Sequence, residues 1–264
     1  MKRVQLKMAA LALLVMAGCV ENPVINDAHA NYADIARPSL AVDVKVDGDQ
    51  SGAAREFPVN GNPAHYRAYV QANPGERYRL RVTNHSGQRV GVVIAVDGRN
   101  ILSGKQSNLA NNERMYILEP YESSSYEGWR TGQNQTNRFF FTESTNSYAA
   151  AWGDTSAMGV IAMAAYAENV PIPVPMLEER MAAPSPMAPA AAPAPGTGFG
   201  ESTYSPSHTV DFEPVSSPME KLFLKYEWRQ TLCDKHILPE CRTSSGGNRF
   251  WPDNGGYAPP PPRH

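Results

Sequence analysis

The clearest structural signal in the chain is the stretch RYRLRVT, residues 77–83. Its apolar side chains, Tyr78, Leu80 and Val82, alternate strictly with arginine and threonine, which is the period-two pattern of a β-strand with one buried face. The three arginines share the opposite face. We expect that face to be solvated, and contact with an acidic partner is the alternative.

Similar short stretches lie on both sides of this strand, and Gly, Asn, Asp and Pro turns separate them. Residues 90–96 are apolar throughout, which predicts a strand buried on both faces. Residues 159–166 are rich in alanine, so a helix is the alternative there, but the lack of an N-cap residue and the β neighbours favour a strand. The remaining strand candidates are residues 40–46, 66–70, 115–118, 124–130 and 137–142.

Short strands at this spacing are typical of an all-β fold, here an antiparallel β-sandwich of the immunoglobulin-like or jelly-roll-like kind. A purely parallel sheet is excluded because the sequence offers no crossover helices between the strand candidates. The chain has 264 residues, enough for a sizeable core. We place the sandwich domain at residues 39–170.

Composition changes abruptly after the sandwich, because residues 171–195 contain eight prolines. Proline removes backbone donors and favours extended conformations, so residues 171–207 are predicted to be a Pro/Ala/Gly-rich linker or loop. Residues 208–242 contain an alternating strand followed by a short helix. This segment is too small to fold alone, so we expect it to pack back on the sandwich. Residues 243–264, with their glycine and proline clusters, are predicted to form a flexible tail.

The first residues have the composition of an export signal. Lys2, Arg3 and Lys7 precede an apolar run at residues 8–17, which is too short to span a bilayer. The run ends in Met16-Ala17-Gly18-Cys19. Small residues followed by a cysteine at this position resemble the lipobox of bacterial lipoproteins.

The lipoprotein resemblance implies that residues 1–18 are removed and that Cys19 then carries a diacylglyceryl group and a further acyl chain such as palmitate. Two or more acyl chains hold a protein on a membrane almost permanently. Val20 stands where enterobacterial lipoproteins retained at the inner membrane have aspartate, so the resemblance implies the outer membrane, on its periplasmic face or at the cell surface. Residues 19–38 would form a tether. The alternative is an ordinary signal peptide in which Cys19 is incidental.

The charge of the processed chain bears on its partners. The full sequence has 26 acidic and 24 basic residues, 42% apolar and 19% charged. Removal of residues 1–18 takes away three basic groups and no acids, which leaves 21 basic against 26 acidic residues and a net charge of −5. Such a protein has no electrostatic reason to bind nucleic acid or an anionic bilayer surface.

Two further cysteines, Cys233 and Cys241, lie eight positions apart near the end of the chain. In an oxidising compartment an isolated pair most simply forms a disulfide. A zinc site is the alternative, but it needs four ligands and only His236 lies between the cysteines. We therefore predict a disulfide, and we expect neither a metal nor another cofactor.

The body of the chain also carries a series of short motifs. They are VDGRNILSG at residues 96–104, GWR at 128–130, RFFFT at 138–142 and GVI at 159–161. The series is similar to a pattern found in uncharacterised bacterial envelope proteins, over residues 77–167. The resemblance implies a shared β-domain and brings no known activity with it.

Motifs of common enzyme classes are missing from the sequence, including Gly-x-Ser-x-Gly, His-Glu-x-x-His and the Walker motif. The glycine-rich stretch 196–200 suggests a phosphate loop only superficially, because a Pro-rich stretch precedes it and no helix follows. The carboxylates that a glycoside hydrolase would use in pairs are Glu119, Glu122, Glu127 and Asp154. Nothing in the sequence places two of them together, so we do not expect an enzyme.

Aromatic residues interleaved with Asn, Gln, Ser and Thr are concentrated between residues 116 and 152. Rings with amide side chains at their rims suit the apolar face and hydroxyls of a sugar, and equally a hot spot for protein binding. The plainest interpretation is that most of these rings are core residues. The candidates for a partner or glycan surface are Tyr121, Tyr126, Trp129, Tyr148 and Trp152.

Together these observations favour a non-enzymatic, lipid-anchored protein of the cell envelope that acts as a structural or protein-interaction module. We expect its partners to be the membrane, through the lipid on Cys19, and another envelope protein. A carbohydrate- or peptidoglycan-binding lipoprotein on the same scaffold is the alternative. A hydrolase is a third and weaker hypothesis.

Overall fold

A computed structural model describes residues 40–59, 65–169 and 194–241. Predictions for the signal, Cys19, the tether, most of the Pro-rich stretch and the tail therefore concern residues outside the described ranges. The described chain folds as an all-β sandwich of two packed sheets, which confirms the predicted fold class.

Within the described ranges, the strands in chain order are β1 Val42–Gly48, β2 Gly52–Ala53, β3 Glu56–Pro58, β4 Tyr66–Ala72, β5 Arg77–Asn84, β6 Val90–Val96, β7 Arg99–Asn100, β8 Tyr116–Leu118, β9 Ser123–Tyr126, β10 Gly128–Gly132, β11 Gln135–Glu143, β12 Val160–Ala167, β13 Pro195–Thr197, β14 Ser202–Tyr204 and β15 Glu220–Trp228. The α-helices are short, and they are α1 Tyr148–Ala151 and α2 Arg229–Asp234. Single 3₁₀ turns lie at Ser144–Asn146 and Pro239–Cys241.

The first sheet has the order β10-β11-β5-β1-β2, with β13 and β14 paired to β11 and β9 paired to β5. The second has the order β3-β4-β15-β12-β6-β7, with β8 paired to β6. The strand pairs are antiparallel except β4 and β15, which run parallel. A parallel pair needs a long connection between its strands, and here the chain from β5 to β14 provides it.

The RYRLRVT stretch lies in β5, at the centre of the first sheet. Tyr78, Leu80 and Val82 are fully buried and face the second sheet. The arginines on the other face pair with acidic residues of the same chain, as Arg77 does with Glu201. This face is therefore solvent-facing and internally neutralised.

Strand β6 is buried along its whole length, as its apolar run predicts. Val92 and Ile94 point into the core between the sheets. Val93 and Ala95 belong to a second apolar cluster, together with Leu109 and Tyr166. The alanine-rich stretch that follows α1 is a strand, β12, and it pairs with β6 over seven residue pairs. Its small side chains suit a strand covered on both faces.

The segment after the Pro-rich stretch packs back on the sandwich, as the sequence predicts. Strand β15 does not lie at an edge but inserts between β4 and β12, where Leu222, Leu224 and Tyr226 are fully buried. Helix α2 follows it directly. The predicted disulfide between Cys233 and Cys241 is present and closes the loop after this helix.

The structure differs from the sequence prediction at residues 194–207, which were assigned to the linker. Here β13 and β14 add to β11 and belong to the first sheet. The glycines of this stretch make the approach possible, because a Cβ on Gly198 would collide with the ring of Phe140 and one on Gly200 with the carbonyl of Arg138. The glycine-rich sequence thus serves close packing against β11 and not the binding of a phosphate.

Among the described residues, no helix has the length and apolar character needed to cross a membrane.

Candidate functional site

The structure separates the five aromatic residues predicted as a surface. Trp129 is a core residue, 2% exposed, and its Nε1 donates to the carbonyl of Gly198 at 3.0 Å. Tyr126 is half-buried and stacks on Tyr116, with 3.9 Å between ring centroids, and burial raises its pKa. Tyr121 is 73% exposed at a turn, where its φ is 60°. Only Tyr148 and Trp152 remain together at a surface.

These two residues form part of an open groove with a volume of about 450 Å³. Trp152 is 62% exposed and Phe199, on the same groove, is 45% exposed. We call this feature the aromatic groove, and its lining residues are Phe140, Asn146, Ser147, Tyr148, Ala151, Trp152 and Phe199.

Helix α1 presents two of the rings. The side chain of Ser147 caps its first turn by accepting a hydrogen bond from the amide of Ala150 at 3.2 Å. The amide of Trp152 donates to the carbonyl of Ala149 at 3.0 Å and ends the helix. Tyr148 and Trp152 are four positions apart, so they lie on the same face, with 6.1 Å between ring centroids.

The other side of the groove comes from the stretch that follows β13. Phe199 stacks on Tyr148 with 5.3 Å between centroids and 18° between ring planes. Phe140 lies below it on β11, where the ring fits against Gly198. Sequence reasoning missed Phe199 and Phe140 because they approach Tyr148 only through the pairing of β13 with β11. The available signal was the GTGFG stretch, in which one aromatic residue stands among glycines.

Polar groups lie beside the rings of the groove, and one of them is the cationic side chain of Arg99. The guanidinium of Arg99 lies over the ring of Trp152, 5.3 Å from its centroid, in a cation–π contact. Its Nη1 donates to the carbonyl of Gly104 at 2.7 Å, which fixes the side chain in place. Asn146 adds an exposed amide to the lining, whereas the buried hydroxyl of Ser147 is occupied by Ala150 and Ser144. The groove therefore offers flat apolar faces beside a small number of oriented polar groups.

A second cluster, buried beneath the groove, joins elements that are far apart in sequence. The carboxylate of Asp97 accepts hydrogen bonds from the amides of Gly159 at 2.8 Å and Thr197 at 2.7 Å, and from the hydroxyl of Tyr226. The Thr197 hydroxyl contacts the hydroxyls of Tyr226 at 2.8 Å and Tyr78 at 2.7 Å. We call these five residues the Asp97 network.

Asp97 is fully buried, and this burial raises the pKa of its carboxyl to about 6 although three donors favour the charged form. Burial also raises the pKa of Tyr226 and of Tyr78 well above the ordinary value, so both hydroxyls stay protonated. A carboxylate enclosed in this way has no access to a substrate. We read the network as a structural link between the two sheets.

The four carboxylates that the sequence offers for a glycoside hydrolase contact other groups of the chain. Glu127 pairs with Arg79 at 3.9 Å, and Glu119 pairs with Arg89 at 3.0 Å. Glu122 accepts from the amide of Glu119 at 2.8 Å. Asp154 accepts from the amide and hydroxyl of Ser156, at 3.1 and 2.7 Å. Each of the four carboxylates therefore has a partner within the chain.

The described ranges contain no group of three or more His, Cys, Asp or Glu side chains arranged to hold a metal ion. Comparison of the chain with protein-family models, with curated proteins and with solved structures finds no match.

Proposed function

We propose that this protein is a non-catalytic lipoprotein of the outer membrane that binds another envelope protein through the aromatic groove. The exposed rings of Trp152 and Phe199, packed on Tyr148 at a polar rim, carry this proposal. The lipid on Cys19 holds the protein at the membrane, and the groove binds the partner protein.

The amino terminus supports the anchor. A basic start, a short apolar run and the sequence Met16-Ala17-Gly18-Cys19 agree with a lipoprotein signal in which Cys19 is acylated. The disulfide between Cys233 and Cys241 supports export, because such bonds persist in oxidising compartments and are rare in the cytosol.

The groove has the features of a protein hot spot. Exposed Trp, Phe and Tyr rings held in place by neighbouring contacts contribute much of the binding energy in protein interfaces, because they bury a large area at a low cost in side-chain entropy. Trp152 is held by Arg99 and Tyr148, and Phe199 is held by Tyr148. A ring exposed to water in the free protein and already oriented gains the most when a partner covers it.

Glycan binding is the second candidate, and one observation favours it. The exposed amide of Asn146 lies in the same groove as the exposed face of Trp152. A sugar ring could stack on the indole while its hydroxyls bond to the amide. Peptidoglycan and surface polysaccharide are the glycans that an outer-membrane protein meets.

The anchor is tested by mass spectrometry of the full chain isolated from its native host. We expect the mature protein to begin at Cys19 with a diacylglyceryl group and an acyl chain, and a Cys19→Ser chain to leave the membrane fraction. An unmodified thiol at this residue would contradict the anchor.

The groove is tested by affinity capture from detergent-solubilised envelopes with the full chain as bait. We expect one envelope protein to be retained by the wild type and by Tyr204→Ala, and lost with Trp152→Ala and with Phe199→Ala. Tyr204 is the matched control because it is an exposed aromatic residue, at 75%, that does not line the groove. Retention of peptidoglycan with the same dependence on Trp152 would favour the glycan candidate. Equal capture by all four chains would contradict both.

A further inference from the structure

The Asp97 network places a single buried carboxylate at the meeting point of four parts of the fold. Asp97 lies in the turn between β6 and β7, and its hydrogen-bond donors belong to the start of β12, to β13 and to β15. The residue has a φ of 50°, which directs its carboxylate into the interior from a tight turn. Protonation of this one carboxyl group therefore affects hydrogen bonds to several strands at once.

The carboxylate is held by donors and not by a contacting cation. Lys225 is on the neighbouring strand, but its Nζ donates to the carbonyl of Met158 at 2.8 Å and lies 3.9 Å from Glu227. Glu227 in turn pairs with Lys235 at 2.7 Å. The charge on Asp97 is therefore buried among hydrogen-bond donors, and the charge of Lys225 acts on it without direct contact, so ionisation remains costly compared with the neutral acid or with the same carboxylate in water.

The two tyrosine hydroxyls of the network keep their protons through the acid range. Tyr78 and Tyr226 remain protonated, because burial raises the pKa of both. On the solvent side of the turn, Arg99 is engaged with Gly104 and Trp152, and Asp154 is engaged with Ser156. Proton uptake by the network therefore centres on Asp97.

The network can accept a proton without breaking its chain of hydroxyls. In the ionised form Tyr226 donates to Asp97, and Tyr78 and Thr197 supply the remaining hydroxyl contacts. When Asp97 carries the proton it donates to the Tyr226 oxygen, and the direction of each following hydroxyl bond reverses. The contacts between Tyr226, Thr197 and Tyr78 allow either direction. The closed arrangement is thus compatible with both forms. The neutral form avoids a buried charge, at the smaller cost that the hydroxyl hydrogen of Tyr78 loses Thr197 as its acceptor.

Strand β13 connects this carboxyl to the aromatic groove. Thr197 donates its amide to Asp97, and two residues later Phe199 forms one side of the groove. Between them, Gly198 donates to the carbonyl of Phe140 at 2.9 Å and accepts from Trp129. A loss of the Asp97 contact would loosen the strand that positions Phe199 against Tyr148.

We propose that Asp97 is a proton-controlled latch for the strand that carries Phe199, held closed by the neutral acid and released more often when the carboxyl is ionised. Opening lets water reach the carboxylate, so each rise in pH through the titration of Asp97 favours the open form. A regulatory effect on partner binding rests on the proposed function of the aromatic groove. The latch itself does not depend on any partner.

The latch is tested by hydrogen exchange of the full chain from pH 4 to pH 7, with rates corrected for the intrinsic pH dependence. The amides of Gly159 and Thr197 report on the latch, and those of Val93 and Ala164, on paired core strands, serve as controls. We expect protection at the latch amides to fall by up to about 100-fold relative to the controls, since each unit of pKa difference between closed and open forms is worth tenfold. Protection that follows the controls at every pH would overturn the proposal.

Two variants separate the latch from a general loss of stability. Asp97→Asn removes the titration, so its latch amides should show no pH dependence beyond that of the controls. Tyr226→Phe removes one donor to the carboxylate and should move the transition to higher pH. A Tyr226→Phe profile identical to that of the wild type would contradict the role of the network. Because no partner is present, failure of the groove to bind an envelope protein would overturn the proposed function and leave the latch intact.

Discussion

The amide of Thr197 donates to the carboxylate of Asp97 at 2.7 Å, across a sequence separation of 100 residues. This bond joins a turn of the second sheet to a strand of the first, and it fixes the chain where it returns after the Pro-rich stretch. The side chain of Thr197 continues the link to Tyr226 and Tyr78, on opposite sheets. The position of the aromatic groove depends on this buried polar contact as well as on apolar packing.

Replacing Thr197 by valine keeps the shape of the side chain and removes its hydroxyl. Tyr78 and Tyr226 then lose a shared buried partner, so we expect the free energy of unfolding to fall by about 1–3 kcal/mol. Urea denaturation measures this change. Thr142→Val, at a half-buried position on β11, is the control and should cost less. Equal effects of the two substitutions would contradict the importance of the network.

Stability should depend on pH through Asp97 in a direction opposite to that of an ordinary surface carboxylate. The folded pKa of about 6 lies above the ordinary value of 3.8 for an aspartate, so the folded state binds more protons between these values and stability falls as pH rises through that window. The difference corresponds to about 3 kcal/mol, as an order of magnitude. Subtracting the denaturation profile of Asp97→Asn from that of the wild type isolates this contribution. A flat difference profile would show that burial does not raise this pKa.

The disulfide should stabilise the end of β15 and helix α2. Cys233 and Cys241 are eight residues apart, and a loop of this size restricts the unfolded chain by about 2–3 kcal/mol. Leu232 of α2 and Ile237 of this loop pack together with Phe57 of strand β3. We expect reduction to lower the denaturation midpoint of the wild type and to leave a Cys233→Ala/Cys241→Ala chain unchanged. An unreduced wild type no more stable than the double variant would contradict this role.

Trp129 and Trp152 should respond very differently to truncation. Trp129 is 2% exposed and donates to Gly198, so Trp129→Ala should cost about 3–5 kcal/mol and endanger folding. Trp152 is 62% exposed, and Trp152→Ala should change stability by less than about 1 kcal/mol. Thermal denaturation of both variants measures the contrast. A large loss of stability in Trp152→Ala would show that its ring supports the fold, and the binding tests would then need Phe199→Ala instead.

The sandwich was predictable from the sequence because its signal is local. Alternation in β5, continuous apolarity in β6 and the turn residues between them each identify a strand without knowledge of its neighbours. The packing of β15 against the sandwich was predictable, because a lone strand of this size needs another sheet to pair with. Its central place and its parallel pairing with β4 were not, because one sequence does not specify which strands become neighbours.

The groove was only partly predictable, for the same reason. Tyr148 and Trp152 are close in sequence and were identified together. Phe199 was not, because a proline-rich composition hid the strand pairing that brings it to α1. Trp129 shows the converse, since an aromatic residue among polar neighbours became a core residue that packs on Phe139 and bonds to Gly198. The composition indicated a surface cluster of aromatic residues. The pairing of distant strands in the folded chain determines which aromatic residues lie in the groove.

The central claim, that the aromatic groove is the binding surface, is tested most directly by photo-crosslinking in living cells of the native host. Photoreactive benzoylphenylalanine replaces Ala151, an exposed residue of the groove lining, in one full chain and Tyr204 in another, and each is combined with Phe199→Ala. We expect a covalent adduct with one envelope protein from position 151 and not from position 204, and its loss when Phe199 is replaced. An adduct from position 151 that persists in the Phe199→Ala chain, or the same adduct from both positions, would contradict the claim.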